Sequence, residues 1–140
     1  MANVLILATM NTKGQEVLYL RDRLKSLGAS CSIMDLSMQY GDPGMSFDIP
    51  ATQVAEAGGR TFETVARSRD MTGNMLTMST GAAVLARALV KKGIIDAVIA
   101  VGGCTGTLMI TDVMQSLPFG LPKVMISSAA AQPGLASQFL

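Results

Sequence analysis

A chain of 140 residues has the length of one domain, and its 49% hydrophobic content against 15% charged residues is an apolar excess. A parallel sheet, a further domain or a second subunit would bury that excess, so a homo-oligomer or contact with a C-terminal domain is expected. Eleven basic against ten acidic residues leave a charge of +1 with no basic stripe for nucleic acid, and histidine catalysis and histidine metal sites are excluded because histidine is absent.

No run of about 18 apolar residues offers a membrane span. The N-terminus has no basic leader or small-residue cleavage site, so a cytoplasmic location is the expectation. Cys31 and Cys104 lie in different segments without metal-ligand spacing, and neither a disulfide nor a metal site is expected from them.

Val4 to Ala8 reads as a first, buried strand. A helix is expected over Gly14 to Leu27, where Val17, Leu20, Leu24 and Leu27 repeat at three- and four-residue spacing and Gly28 supplies the stop. Cys31 to Leu36 reads as the second strand, with Asp35 at its end. Ser37 to Pro50 is rich in glycine and proline and holds Tyr40 and Phe47; its length marks a lid or a docking surface.

A short helix is expected over Thr61 to Arg69, with Phe62, Val65 and Ala66 inward. After a break at Gly73, a longer helix runs to Lys92 on a stripe of Met75, Met78, Ala82, Leu85 and Leu89. Thr80 and Gly81, inside an otherwise apolar helix, lower its propensity and mark a close backbone approach to a ligand. Gly93 caps it, and Ile94 to Val101 is a β-branched run that reads as a strand covered on both faces. A glycine turn, a helix ending before Pro118 and a strand over Lys123 to Ser127 complete a right-handed βαβ unit. Alternating strands and helices specify an open, mainly parallel α/β sheet with helices on both faces. The stretch after Ser127 ends on apolar Phe139-Leu140, which fits a fragment of a longer protein or a tail packed on a neighbour.

In open parallel sheets, ligands bind beyond the carboxyl ends of the strands, and three candidate stretches gather there. The first is Thr9 to Gly14, where helix-start amides, the Thr12 hydroxyl and the Lys13 cation suit a phosphate; alternatively Asn11 or Thr12 is a helix cap. The second is Gly102-Gly103-Cys104-Thr105-Gly106-Thr107, whose glycines clear the way to the backbone and whose threonines add hydroxyls. It is neither a Rossmann GxGxxG nor a P-loop, because the glycine spacing differs and no lysine follows. The third is Asp35, placed either to accept from ribose hydroxyls or to bond the turn backbone. Arg60, Arg67 and Arg69 are further phosphate partners or a solvated face, and Ser127 and Ser128 close the fourth strand at the same edge. No nucleophile–base pair is visible, and Asp112 reads as surface.

Three stretches together resemble one family: Leu5 to Glu16 (LILATMNTKGQE), Val101 to Thr107 (VGGCTGT) and Leu117 to Ser127 (LPFGLPKVMIS). It is the conserved family that includes the plant tobamovirus-resistance protein, and the agreement runs to about Ser128. The resemblance implies an N-terminal ATP-binding domain with a Rossmann-like fold, followed by a C-terminal domain resembling a TIM barrel that is not contained in these 140 residues. It implies nucleotide contacts from Asn11, Thr12, Lys13 and the Gly102 to Thr107 turn. The turn in that family reads Gly-Gly-Ser-Gly-Gly-Thr, so Cys104 and Thr105 replace a serine and a glycine and narrow the site. After Ser127 the family pattern gives way to Ser128-Ala129-Ala130-Ala131-Gln132-Pro133.

The expectation is therefore a domain that binds a nucleotide, ATP first, or another phosphate-bearing small molecule. Two alternatives stay open: half of an enzyme for a phosphorylated small molecule, completed by a further domain, and a protein-interaction module working through the Ser37 to Pro50 loop.

Overall fold

The computed structural model describes residues 1–42, 44, 45, 47–134 and 137. Four strands form one parallel sheet: β1 (Asn3–Ala8), β2 (Ser30–Asp35), β3 (Ala97–Gly102) and β4 (Lys123–Ser127), in the order β2-β1-β3-β4. Five helices connect them: α1 (Met10–Ser26), α2 (Ala51–Ala57), α3 (Phe62–Arg67), α4 (Met71–Lys91) and α5 (Cys104–Gln115). The fold is an α/β, Rossmann-like sheet with helices on both faces, as the alternation of elements specifies.

Strand β1 is central and buried on both sides, so its near-continuous apolar run needs no polar face. Leu5 and Leu7 face one core layer, built with Met78, Ala82 and Ala86 of α4 and Met109, Ile110 and Val113 of α5. Ile6 and Ala8 face the other, which Met10 and Val17 of α1 close. Helices α1 and α5 thus lie on opposite faces of the sheet.

The boundaries differ from expectation where capping is non-local. Helix α1 starts at Met10, four residues before Gly14, so Asn11, Thr12 and Lys13 form its first turn rather than a loop. Neither Asn11 nor Thr12 is the cap; Thr9 takes the cap position in an extended conformation. Helix α4 starts at Met71 and passes through Gly73, because the Asp70 side chain accepts the Gly73 amide at 3.0 Å. Strand β3 begins at Ala97, since Asp96 turns its carboxylate onto the Asn3 amide at 2.8 Å.

Helix α2 was not expected. It is seven residues long, begins after Pro50 and packs against α4. The close approach at Gly81 is to α2 rather than to a ligand, and α4 runs through it unbroken: a Cβ there would sit 1.9 Å from the Val54 carbonyl oxygen. Thr80 is exposed.

The Ser37 to Pro50 stretch is not wholly free. Its last part returns to β2, where Ile49 bridges Met34, while Tyr40 stacks edge-on against Phe62 with ring centroids 5.0 Å apart. Pro43 and Ser46 of this stretch, and the terminal Phe139-Leu140, lie outside the described residues.

Candidate functional site

The sheet order places a switch point between β1 and β3. Strand β1 leads into α1 on one face and β3 into α5 on the other, so their carboxyl ends open a crevice. A cleft of about 410 Å³ occupies it, lined by Thr9, Asn11, Thr12 and Lys13 on one side and by Gly103, Cys104, Thr105 and Gly106 on the other. Met38, Gln39, Ser68, Met71 and Asn74 form its outer wall. Seven of the sequence-predicted site residues are thereby brought together.

The two helix ends facing this cleft are in opposite electrostatic states. At α1, the Asp35 carboxylate accepts the Met10 amide at 3.0 Å and the Ser37 hydroxyl accepts the Asn11 amide at 3.0 Å. The Thr12 and Lys13 amides turn back to the Thr9 carbonyl at 3.1 and 2.9 Å. Every first-turn donor of α1 is thus taken, one of them by a carboxylate.

At α5, Gly103 holds the cap position and offers no side chain, and the first turn carries no acidic residue. Among the described residues, no group accepts from the Cys104, Thr105 or Gly106 amides. Such an open helix start carries a partial positive charge with its donors aimed outward.

Glycine keeps this end accessible. A Cβ on Gly103 would lie 3.9 Å from both Lys13 Cε and Ser128 Oγ, so these two side chains flank the bare backbone. A Cβ on Gly106 would lie 3.7 Å from Thr9 Oγ1, which brings the two helix starts within contact distance. Among the described residues, Lys13 is the one charged side chain lining the cleft.

Gly102 and Thr107 sit beneath the cleft rather than on it. A Cβ on Gly102 would meet the Thr107 amide nitrogen at 2.8 Å, so the turn closes only over glycine. Thr107 is 0% exposed; its hydroxyl donates to the Gly103 carbonyl and lies 2.7 Å from Ser127 Oγ. With its own proton committed, Thr107 Oγ1 accepts from Ser127, whose oxygen in turn accepts the Ala129 amide at 3.1 Å. This chain ties the β4 exit to the turn, a contribution of Ser127 that follows from the register pairing it with Gly102.

Asp35 stands apart from the cleft. It is 5% exposed, and its Oδ1 accepts three donors: the Met10 amide, the Ser37 amide at 2.9 Å and the Ser37 hydroxyl at 2.5 Å. It lines a neighbouring, mostly apolar cavity of about 230 Å³ with Met10, Tyr40, Phe47 and Phe62. Asn11 and Gln39 line both spaces and so form their common wall.

The arginines do not line the cleft. Arg60 reaches Asn74 Oδ1 at 3.1 Å and Thr77 Oγ1 at 3.3 Å, and Arg67 pairs with Glu63 on an exposed face. Arg69 is exposed. Cys104 is exposed at the start of α5, whereas burial pushes the Cys31 thiol above its ordinary value. Among the described residues, no helix is long and apolar enough to cross a membrane, and no group of three His, Cys, Asp or Glu side chains is placed to hold a metal.

Comparison with known proteins bears on the whole chain. A UPF0261 protein of Brucella suis biovar 1 is 35% identical over 127 residues, which cover 91% of this chain and 30% of the relative. One of Clostridium tetani is 30% identical over 128 residues, covering 91% of this chain and 31% of the relative. The ToMV susceptible protein tm-1(GCR26) of Solanum lycopersicum is 27% identical over 143 residues, covering 91% of this chain and 19% of its own length. The chain therefore spans about 30% of the bacterial relatives it matches. The family model described as "Uncharacterised protein family (UPF0261) N-terminal domain" matches residues 2–139, and the chain belongs to that family.

Proposed function

We propose that this domain binds a phosphate-bearing small molecule in the cleft between α1 and α5, with a nucleotide, ATP first, as the candidate. The observation that carries the reading is the uncapped start of α5, whose Cys104, Thr105 and Gly106 amides face Lys13 across a cleft that no carboxylate lines among the described residues. An anion seated there gains both the helix dipole and the ammonium. The α1 terminus contributes Lys13 rather than its amides, because Asp35, Ser37 and the Thr9 carbonyl already occupy those, and the Thr9 and Thr12 hydroxyls lie 2.8 Å apart as partners of each other. The adjoining cavity, lined by Met10, Phe47 and the Tyr40–Phe62 pair, offers an apolar space for a base, on the far side of Asn11 and Gln39.

Isothermal titration calorimetry with ATP, ADP and inorganic phosphate tests this. ATP is expected to bind, Lys13→Ala to weaken it about five- to tenfold, and Gly106→Val to abolish it by filling the space in front of the α5 amides. Lack of heat and of competition at millimolar ATP with the folded chain would sink the reading.

A further inference from the structure

The two edges of the sheet are managed differently. Along β2 the chain closes its own edge: the Ile49 amide donates to the Ile33 carbonyl and the Asp35 amide to the Ile49 carbonyl, each at 2.9 Å. Strand β4, among the described residues, has β3 as its one strand neighbour. Helix α1 packs over β2, β1 and β3, but Val124 and Ile126, which project on that face in register with Ile99 and Val101, are 50% and 47% exposed.

Hydrogen-bond parity decides what this edge offers. The Pro122 carbonyl accepts from Val98, and the Ser128 amide donates to the Gly102 carbonyl. Even-numbered residues therefore turn their polar backbone groups toward β3, and Lys123, Met125 and Ser127 turn theirs outward. Neither a bulge nor a proline interrupts β4, and an edge of this kind pairs readily with another strand.

We propose that the partner is a second copy of this chain, with β4 pairing antiparallel to β4 about a two-fold axis at Met125. The pattern of the strand favours self-pairing in this register. Each outward amide meets an outward carbonyl, with Lys123 opposite Ser127 of the second copy and Met125 opposite Met125. No like charges face each other. Val124 falls opposite Ile126 of the second copy, so the two exposed apolar pairs form one stripe on the face α1 leaves open.

The register makes a test in which the same two exposed positions give opposite results. In Val124→Lys/Ile126→Lys, lysine faces lysine across the seam; in Val124→Lys/Ile126→Glu, lysine faces glutamate. Sedimentation velocity at about 50 µM is expected to show a dimer for the wild-type chain and for the Lys/Glu variant. The Lys/Lys variant is expected to raise the dimer dissociation constant at least about tenfold, with an unchanged far-UV circular dichroism spectrum. A monomeric wild-type chain overturns the proposal and leaves the edge to a strand from another polypeptide, such as the remainder of the longer relatives. Equal behaviour of the two variants overturns the register and with it the proposal.

Discussion

Asp35 and Met10 lie 25 residues apart in sequence, yet the Asp35 carboxylate accepts the Met10 amide at 3.0 Å and closes the N-terminus of α1 from the end of the neighbouring strand. The same oxygen accepts the Ser37 amide and hydroxyl, and Ser37 passes the cap on to Asn11. Replacing Asp35 by alanine leaves buried donors without an acceptor. Asp35→Ala is therefore expected to lose about 2–3 kcal/mol of stability, and Asp35→Asn, which keeps one acceptor oxygen, about 1 kcal/mol. Urea unfolding at neutral pH measures both; equal midpoints for Asp35→Ala and the wild type would show that the cap contributes nothing.

Two buried glycines separate crowding by backbone from crowding by a flexible side chain. At Gly81 a Cβ would meet the Val54 carbonyl at 1.9 Å and the Gly58 amide nitrogen at 2.8 Å, so α2 and α4 would have to move apart. At Gly14 the obstacle is the Met45 thioether sulfur at 2.2 Å, the far end of a side chain that can rotate away. Gly81→Ala is expected to cost about 2–3 kcal/mol. Gly14→Ala stays within about 1 kcal/mol of the wild type, because gained helix propensity offsets the rearrangement. Thermal or urea unfolding of the pair decides it, and a cost at Gly14 equal to that at Gly81 contradicts the distinction.

What the sequence reveals and what it hides divide along the range of the interaction. Four strands and the Gly102 to Thr107 turn are legible because apolar runs and glycine chemistry act over a few residues. The true start of α1 is not, since its cap is the Asp35 carboxylate rather than a neighbouring side chain. Helix α2 is too short to show periodicity, and it exists because Gly58 and Gly81 let it approach α4. At the candidate site, the grouping of Asn11, Thr12 and Lys13 with Gly103 to Gly106 follows from both stretches ending strands at one sheet edge. Which of the two helix starts is open to an anion depends on Asp35, and that is visible only once β2 is placed beside β1.

Thr107 supports the turn from below, and its substitution should separate shape from hydrogen bonding. Thr107→Val keeps the volume but removes the hydroxyl that donates to the Gly103 carbonyl and accepts from Ser127. The carbonyl keeps the Thr107 amide at 3.0 Å, so the turn is weakened rather than lost. A cost of about 1–2 kcal/mol is expected for Thr107→Val and less for Thr107→Ser, which retains the hydroxyl but leaves a methyl-sized gap in a fully buried place. The two variants should also differ in ligand affinity, in the order of their hydroxyls. Because Gly103 is the residue over which the α5 amides open, Thr107→Val is expected to weaken the proposed ATP binding several-fold at temperatures where the chain stays folded, and Thr107→Ser is not. Calorimetry alongside urea unfolding reads both quantities. If Thr107→Val binds as tightly as Thr107→Ser, the hydroxyl only stabilises the fold and does not shape the proposed anion seat.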